Sequence, residues 1–107
     1  MPALLGGVLI LACARGPVIT SIAANPNPVP QNGTSKITAV ASSPQGDGML
    51  FYWGTSGGGS IRDTRKDTTT YTAPKLSGVY PIWLRVMDSH QRVTDDTFYI
   101  DVGAFRD

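Results

Sequence analysis

The clearest pattern in this sequence is a strict alternation of side-chain types along residues 77–88. Successive side chains of a β-strand point to opposite faces of a sheet, so a period of two predicts a strand with one face in a core. The predicted core face carries Tyr80, Ile82, Leu84 and Val86. The predicted outer face carries Pro81, Trp83, Arg85 and Met87. We therefore predict that this segment is the central strand, against which the other strands pack.

Shorter strand-like segments lie on both sides of this strand, and turn sequences separate them. They cover residues 17–24, 34–42, 49–54, 68–73 and 93–102, with room for one short strand in residues 61–67. The proline-rich residues 25–30 predict a crossing at a sheet edge, because proline cannot donate a hydrogen bond to a ladder. About seven short strands, with turn signals about every 8–12 residues, are typical of an antiparallel β-sandwich.

The alternation also assigns side chains of these segments to the core. In the first strand, the candidates are Val18 together with either Ile19 or Ile22. Later segments contribute Ile37, Ala39, Phe98, Ile100 and Val102. No helical period of about 3.6 residues continues for three turns, so we expect no substantial helix in residues 17–102.

A different pattern occupies residues 3–12, an uninterrupted run of small apolar residues that ends at Cys13. Such a run is too short to cross a bilayer as a helix, which needs about 20 residues, but it suits the core of a secretory signal peptide. Residues 10–13, Ile-Leu-Ala-Cys, resemble a bacterial lipobox. The resemblance implies a signal peptide over residues 1–12, a lipid-modified Cys13 and a short tether over residues 13–16. The alternatives are an ordinary signal peptide and a free, buried thiol.

Composition narrows the classes of protein that fit this chain. Its 107 residues allow one small domain, and its net charge of +1 comes without clusters of either sign. Nucleic-acid binding is therefore not expected, because it needs grouped Lys and Arg side chains. The single cysteine excludes an internal disulfide, so packing alone must hold the domain together.

Four pieces of the sequence resemble bacterial immunoglobulin-like and PKD-like (polycystic kidney disease) β-sandwich domains. They are residues 17–19, 51–53, 70–74, and 77–80 leading to 86–88. The resemblance covers residues 17–102, leaving residues 103–107 as a tail, and it implies an immunoglobulin-like sandwich. It also implies that Trp53 fills the core and that the hydroxyl of Tyr80 bonds a nearby backbone group, as a corner tyrosine does.

Little in the sequence points to catalysis or to a metal. The single histidine, His90, follows Ser89 in a predicted hairpin loop, and adjacent loop residues do not make a catalytic triad. Zinc needs three or four Cys, His or carboxylate ligands, and the sequence does not offer them. With neither a catalytic triad nor a zinc site, we predict that the domain is not an enzyme. Asp47 and Asp88 are weak calcium candidates, since the resemblance places their loops at one end of the sandwich. Alternatively, each aspartate caps its own turn.

The outer face of the sheet offers a better candidate site. Tyr52, Trp83 and Tyr99 point outward by the alternation, and the resemblance places their strands side by side. The three would form an aromatic stripe, and exposed aromatic patches mark binding partners. Alternatively, these side chains only stabilise cross-strand pairs.

These observations favour a non-catalytic lipoprotein module of the bacterial cell envelope, used for binding, adhesion or structural spacing. It would contact the membrane through lipid on Cys13 and bind a cell-wall glycan or an envelope protein. The alternatives are a fragment of a larger surface protein and an accessory domain of a secreted hydrolase. An open reading frame after Asp107 would favour the alternatives.

Overall fold

The fold was described from a computed structural model, which places residues 16–44, 46 and 48–103. In this part of the chain the regular secondary structure is entirely β, as predicted. The eight strands are β1 (Val18–Asn25), β2 (Val29–Pro30), β3 (Thr34–Ser42), β4 (Met49–Thr55), β5 (Ser60–Ile61), β6 (Thr68–Thr72), β7 (Gly78–Asp88) and β8 (Val93–Gly103). Among the same residues there is no helix long and apolar enough to cross a membrane.

The strands form two four-stranded sheets, which we call sheet 1 and sheet 2. Sheet 1 has the order β1-β3-β6-β5, and sheet 2 has the order β2-β8-β7-β4. Strand β7 lies inside sheet 2 and pairs antiparallel with β4 and with β8. It therefore has the central position that its alternation predicts. The proline-rich segment also lies where expected, because β2 is an edge strand, paired in parallel with the end of β8.

The core lies between the two sheets and has most of the residues that the alternation assigns to it. Strand β7 contributes Ile82, Leu84 and Val86, each with no exposed surface. Other strands contribute the buried side chains of Ile37, Ala39, Trp53, Tyr71, Ile100 and Val102. Phe98 and Tyr80 are half-buried and pack against this cluster. Burial of apolar area on this scale, at about 25 cal/mol per Å², is the main force holding the sheets together.

Two aromatic residues anchor the sandwich through hydrogen bonds as well as packing. Trp53 is buried, and its indole Nε1 donates to the carbonyl oxygen of Lys66 at 2.6 Å. The hydroxyl of Tyr80 donates to the carbonyl oxygen of Leu76 at 2.8 Å. Both features agree with the roles that the sequence suggests for these two residues.

Strand β1 departs from the prediction. Val18, a predicted core residue, is exposed, whereas Ile19 and Ile22 both pack against the core. Residues three apart on a regular strand lie on opposite faces, so both can face inward only if the strand changes register. The pairing of β1 with β3 does shift between Ile19 and Ser21. This irregularity, of the kind a β-bulge produces, allows both isoleucines to face the core.

Candidate binding site

The outer face of sheet 2 is organised in rows of side chains that run across its strands. On β4, β7 and β8, the side chains that alternate with the buried ones point to this outer face. Residues directly opposite each other on neighbouring strands form one row. One row contains Tyr52, Arg85 and Asp95, and the next contains Gly54, Trp83 and Thr97. The rows that follow on either side are Leu50, Met87 and Val93, and then Pro81 with Tyr99.

The three predicted aromatic residues all lie on this face, but on a diagonal. Tyr52, Trp83 and Tyr99 occupy three neighbouring strands, and each belongs to a different row. Diagonal neighbours on a sheet are about 7–8 Å apart, which is within reach of aromatic side chains, so each ring can approach only the next one along the diagonal. Trp83 is 43% exposed and Tyr99 is 62% exposed, whereas Tyr52 is half-buried. Their role in binding stays a prediction.

The indole ring of Trp83 lies on its cross-strand partner, Gly54. A Cβ atom built on Gly54 would collide with three consecutive atoms of the six-membered ring, Cε2, Cζ2 and Cη2. That Cβ position is closest to Cζ2 and only a little farther from the two atoms bonded to it, as for a point above the ring face; a point in the plane of the ring would be much farther from both. Trp83 therefore rests one ring face on the backbone of β4 and presents the other toward solvent. Only glycine at position 54 leaves room for this arrangement.

Tyr52 is covered on one side by a residue that sequence reasoning missed. The guanidinium carbon of Arg65 lies 4.7 Å from the centroid of the Tyr52 ring, which is the geometry of a cation–π contact. Arg65 belongs to the loop between β5 and β6, where no periodic pattern assigns a direction to its side chain. Arg65 therefore occupies one face of the Tyr52 ring, and Trp83 is the more exposed of these two aromatic side chains.

An ion pair lies beside these rings. Arg85 Nε donates to Asp95 Oδ1 at 2.7 Å, and Arg85 Nη2 donates to Asp95 Oδ2 at 3.0 Å. These hydrogen bonds hold the pKa of the Asp95 carboxyl below its usual range and raise the pKa of Arg85. Both side chains are more than half exposed, so solvent screens the pair and it adds little to stability. Its more important property is that it holds two polar groups in a fixed orientation.

The rings and the ion pair line an open groove of about 700 Å³. Ligand sites in proteins commonly have volumes of about 300–1,000 Å³. The groove is lined by Tyr52, Trp83, Leu84, Arg85, Met87, Asp95, Asp96 and Thr97. Tyr99 is not among its lining residues, so the structure brings together two of the three predicted aromatic residues and adds a polar side that the prediction did not include.

Of the two calcium candidates, Asp47 lies outside the described residues, so only Asp88 can be placed. The carboxylate of Asp88 is buried and accepts hydrogen bonds from the backbone N–H groups of His90 and Arg92, each at 2.9 Å. Its second oxygen accepts from Arg92 Nε at 2.9 Å. Asp88 thus caps its own hairpin loop, which is the alternative that the sequence left open. Within residues 16–44, 46 and 48–103, no group of three or more acidic, histidine or cysteine residues could hold a metal ion.

The environment of Asp88 also changes its acidity. Burial alone would raise the pKa of this carboxyl, but the hydrogen bonds from Arg92 and His90, together with the charge of Arg92, outweigh burial and lower the pKa. His90 is part of the same loop, where its Nδ1 lies 3.4 Å from Arg92 Nη2. The predicted lipidation site, Cys13, lies outside the described residues.

Comparison with known proteins supports the fold only. No protein-family model and no curated protein matches this chain. Among solved structures, it is similar to a nucleoside hydrolase-related hypothetical protein from Saccharophagus degradans that is associated with carbohydrate metabolism. The TM-score is 0.62 at 18% sequence identity, over 82% of this chain. This chain spans 25% of that protein, so the likeness concerns one part of a longer molecule.

Proposed function

We propose that this chain is a non-catalytic binding module of the bacterial cell envelope, with an immunoglobulin-like sandwich that presents the outer face of sheet 2 to a partner. The observation that carries the proposal is the open ring face of Trp83, held flat on Gly54 beside a groove. Trp83 is 43% exposed and shares the outer face of sheet 2 with the exposed side chains of Leu50, Val93 and Tyr99. Several exposed apolar side chains on one sheet face are typical of a surface that a partner covers.

The strand order supports the immunoglobulin-like part of the proposal. Such domains place their first, second, fifth and fourth strands in one sheet and their third, sixth and seventh strands in the other. If β2 is taken as a continuation of the first strand into the second sheet, β1-β3-β6-β5 and β8-β7-β4 have this order. Tyr80 lies near the start of β7, and its hydroxyl donates to the carbonyl oxygen of Leu76, four residues upstream, as a corner tyrosine does.

The proposed location rests on the sequence. A lipid on Cys13 would tether a domain that begins at residue 17 close to the membrane, which suits the periplasm or the cell surface. At the membrane, the outer face of sheet 2 would meet cell-wall glycans and envelope proteins.

A second candidate is that the chain is one domain of a larger protein, either a surface protein or a hydrolase with accessory domains. One observation favours it: the hydrolase-related neighbour contains a region of this fold that is a quarter of its length. In such a protein the sandwich would act as a spacer or would hold the catalytic part near its substrate.

The test is co-sedimentation with isolated bacterial envelopes, done with the full-length Cys13→Ser chain so that a lipid on Cys13 cannot carry it down. In this background we expect the protein with Trp83 to sediment and Trp83→Ala to remain in the supernatant. The matched control is Val40→Ala, since Val40 is an exposed residue on the outer face of sheet 1. Equal sedimentation of wild-type and Trp83→Ala protein would refute binding through this face.

A further inference from the structure

We infer that the ligand of the groove is a neutral polysaccharide, one sugar ring of which stacks on the open face of Trp83. The inference rests on the proposed binding function and specifies the chemical class of the partner. Three properties of the groove support it: the orientation of the ring, the polar groups beside it and the balance of charge.

The orientation of Trp83 is the one that sugar binding needs. A pyranose ring has a face of C–H groups, which carry slight positive charge, and the face of an indole carries negative charge from its π electrons. The two surfaces attract when they lie parallel, so the indole must present its face and not its edge. Gly54 provides this orientation, because the absence of a Cβ allows the ring to lie flat on the sheet.

The polar side of the groove matches hydroxyl groups. A guanidinium has five donor hydrogens and a carboxylate has about four acceptor sites, and the two hydrogen bonds between Arg85 and Asp95 use only part of these. The pair therefore offers donors and acceptors side by side, one row away from Trp83. Neighbouring hydroxyls of a sugar can donate and accept at once, so they can bond both partners without breaking the pair. Thr97, directly across from Trp83, adds a hydroxyl on the other strand.

The balance of charge favours a neutral ligand. The charged side chains on the groove's own face are Arg85 and Asp95, and these two neutralise each other. Asp96 is in register with the buried Leu84, and Arg65 lies over the ring of Tyr52 outside the lining, so no cluster of either sign faces the groove. An anionic polymer would need an excess of cationic side chains, and a cationic one would need an excess of carboxylates. A neutral chain meets no repulsion here.

The groove is open and lies along the face of a sheet, so it can hold an internal part of a chain. Tyr99 is exposed one diagonal step beyond Trp83 on β8 and can contact a further sugar unit. We therefore expect affinity to rise with the length of the oligosaccharide.

The test is a fluorescence titration of the full-length chain with neutral polysaccharides of several linkages: β-1,4-glucan, β-1,3-glucan, mannan, xylan and an N-acetylglucosamine hexamer. At least one should quench Trp83 and leave the buried Trp53 unchanged. Because Trp83→Ala lacks the fluorescent reporter, its affinity is measured by isothermal titration calorimetry, and it should be about thirtyfold or more weaker. Arg85→Gln should weaken it by a smaller factor, and Val40→Ala should leave it unchanged. Heparin serves as an anionic comparison and should not bind.

Three outcomes would overturn the inference. No neutral polysaccharide binds, or the one that binds has the same affinity for Trp83→Ala as for the wild type, or heparin binds more tightly than any neutral polysaccharide. The sedimentation assay shows whether only the polysaccharide inference is wrong or whether the proposed binding function is wrong as well. If sedimentation depends on Trp83 but is lost after the envelopes are treated with protease, the partner is a protein, and only the polysaccharide inference fails. If sedimentation does not depend on Trp83, the proposed function fails as well.

Discussion

Trp83 rests the face of its indole ring on Gly54, its directly opposed neighbour across β7 and β4. The contact shields a glycine in an edge strand, where the missing side chain would otherwise leave the backbone uncovered, and it fixes the direction of the ring. Trp83 therefore has two separable roles. It stabilises the pairing of the two strands, and it presents a flat apolar surface.

The first prediction concerns Gly54→Ala. The added methyl group would occupy the space of the indole, so the ring must leave the sheet, and we expect a loss of up to about 1 kcal/mol in the free energy of unfolding, no more than Trp83→Ala itself costs. Urea unfolding measures this loss. The matched control is Gly48→Ala, because a Cβ there has no described atom within 4 Å. Similar stabilities of the two variants would show that Trp83 does not rest on Gly54.

The second prediction compares the two tryptophans. Trp53 is 3% exposed and its indole N–H is hydrogen-bonded, so Trp53→Ala should cost about 3–5 kcal/mol. Against a typical total of about 5–15 kcal/mol, that loss could unfold the domain. Trp83→Ala removes mainly a cross-strand contact and should cost about 1 kcal/mol or less. Thermal melts followed by circular dichroism give both values, and equal losses would contradict the assignment of the two faces. Trp53→Phe is the milder variant if Trp53→Ala does not fold.

The third prediction concerns acid. The pKa of Asp88 is lower in the folded state than in the unfolded state, where it is about 3.9. Its contribution to stability is therefore complete above about pH 5 and is lost as the pH falls through the unfolded and then the folded value. Asp88→Asn should make stability less dependent on pH below about pH 4, as measured by urea unfolding at several pH values. Asp95→Asn should have a smaller effect, because solvent screens the exposed pair with Arg85. If Asp88→Asn leaves the acid limb of the curve unchanged, the capping role is wrong.

The fourth prediction concerns Cys13. When the chain is expressed in bacteria, labelled fatty acid should be incorporated and the protein should partition into detergent. Cys13→Ser should abolish both, because the lipobox resemblance makes this thiol the acceptor of the lipid. Label that persists in Cys13→Ser would exclude lipidation at this residue.

The sequence by itself determined which side of the central strand is buried. Alternation is a local property: it requires no knowledge of the neighbouring strands, so Ile82 and Leu84 could be placed in the core and Trp83 outside it. The same reasoning placed Tyr52 and Tyr99 on the outer face. The hydrogen bond of Tyr80 could be anticipated from resemblance, since the groups it joins are four residues apart.

Only the tertiary structure decided what these outward side chains contact. The contact of Trp83 with Gly54, and the pairing of Arg85 with Asp95, depend on register between strands, which the pattern of one strand does not contain. The cation–π contact of Arg65 depends on the path of a loop. Strand β1 shows the same limit, because one shift of register brought Ile19 and Ile22 to the core and left Val18 exposed. A period of two fixes the face of a side chain, and the partner it meets is set by chain segments distant in sequence.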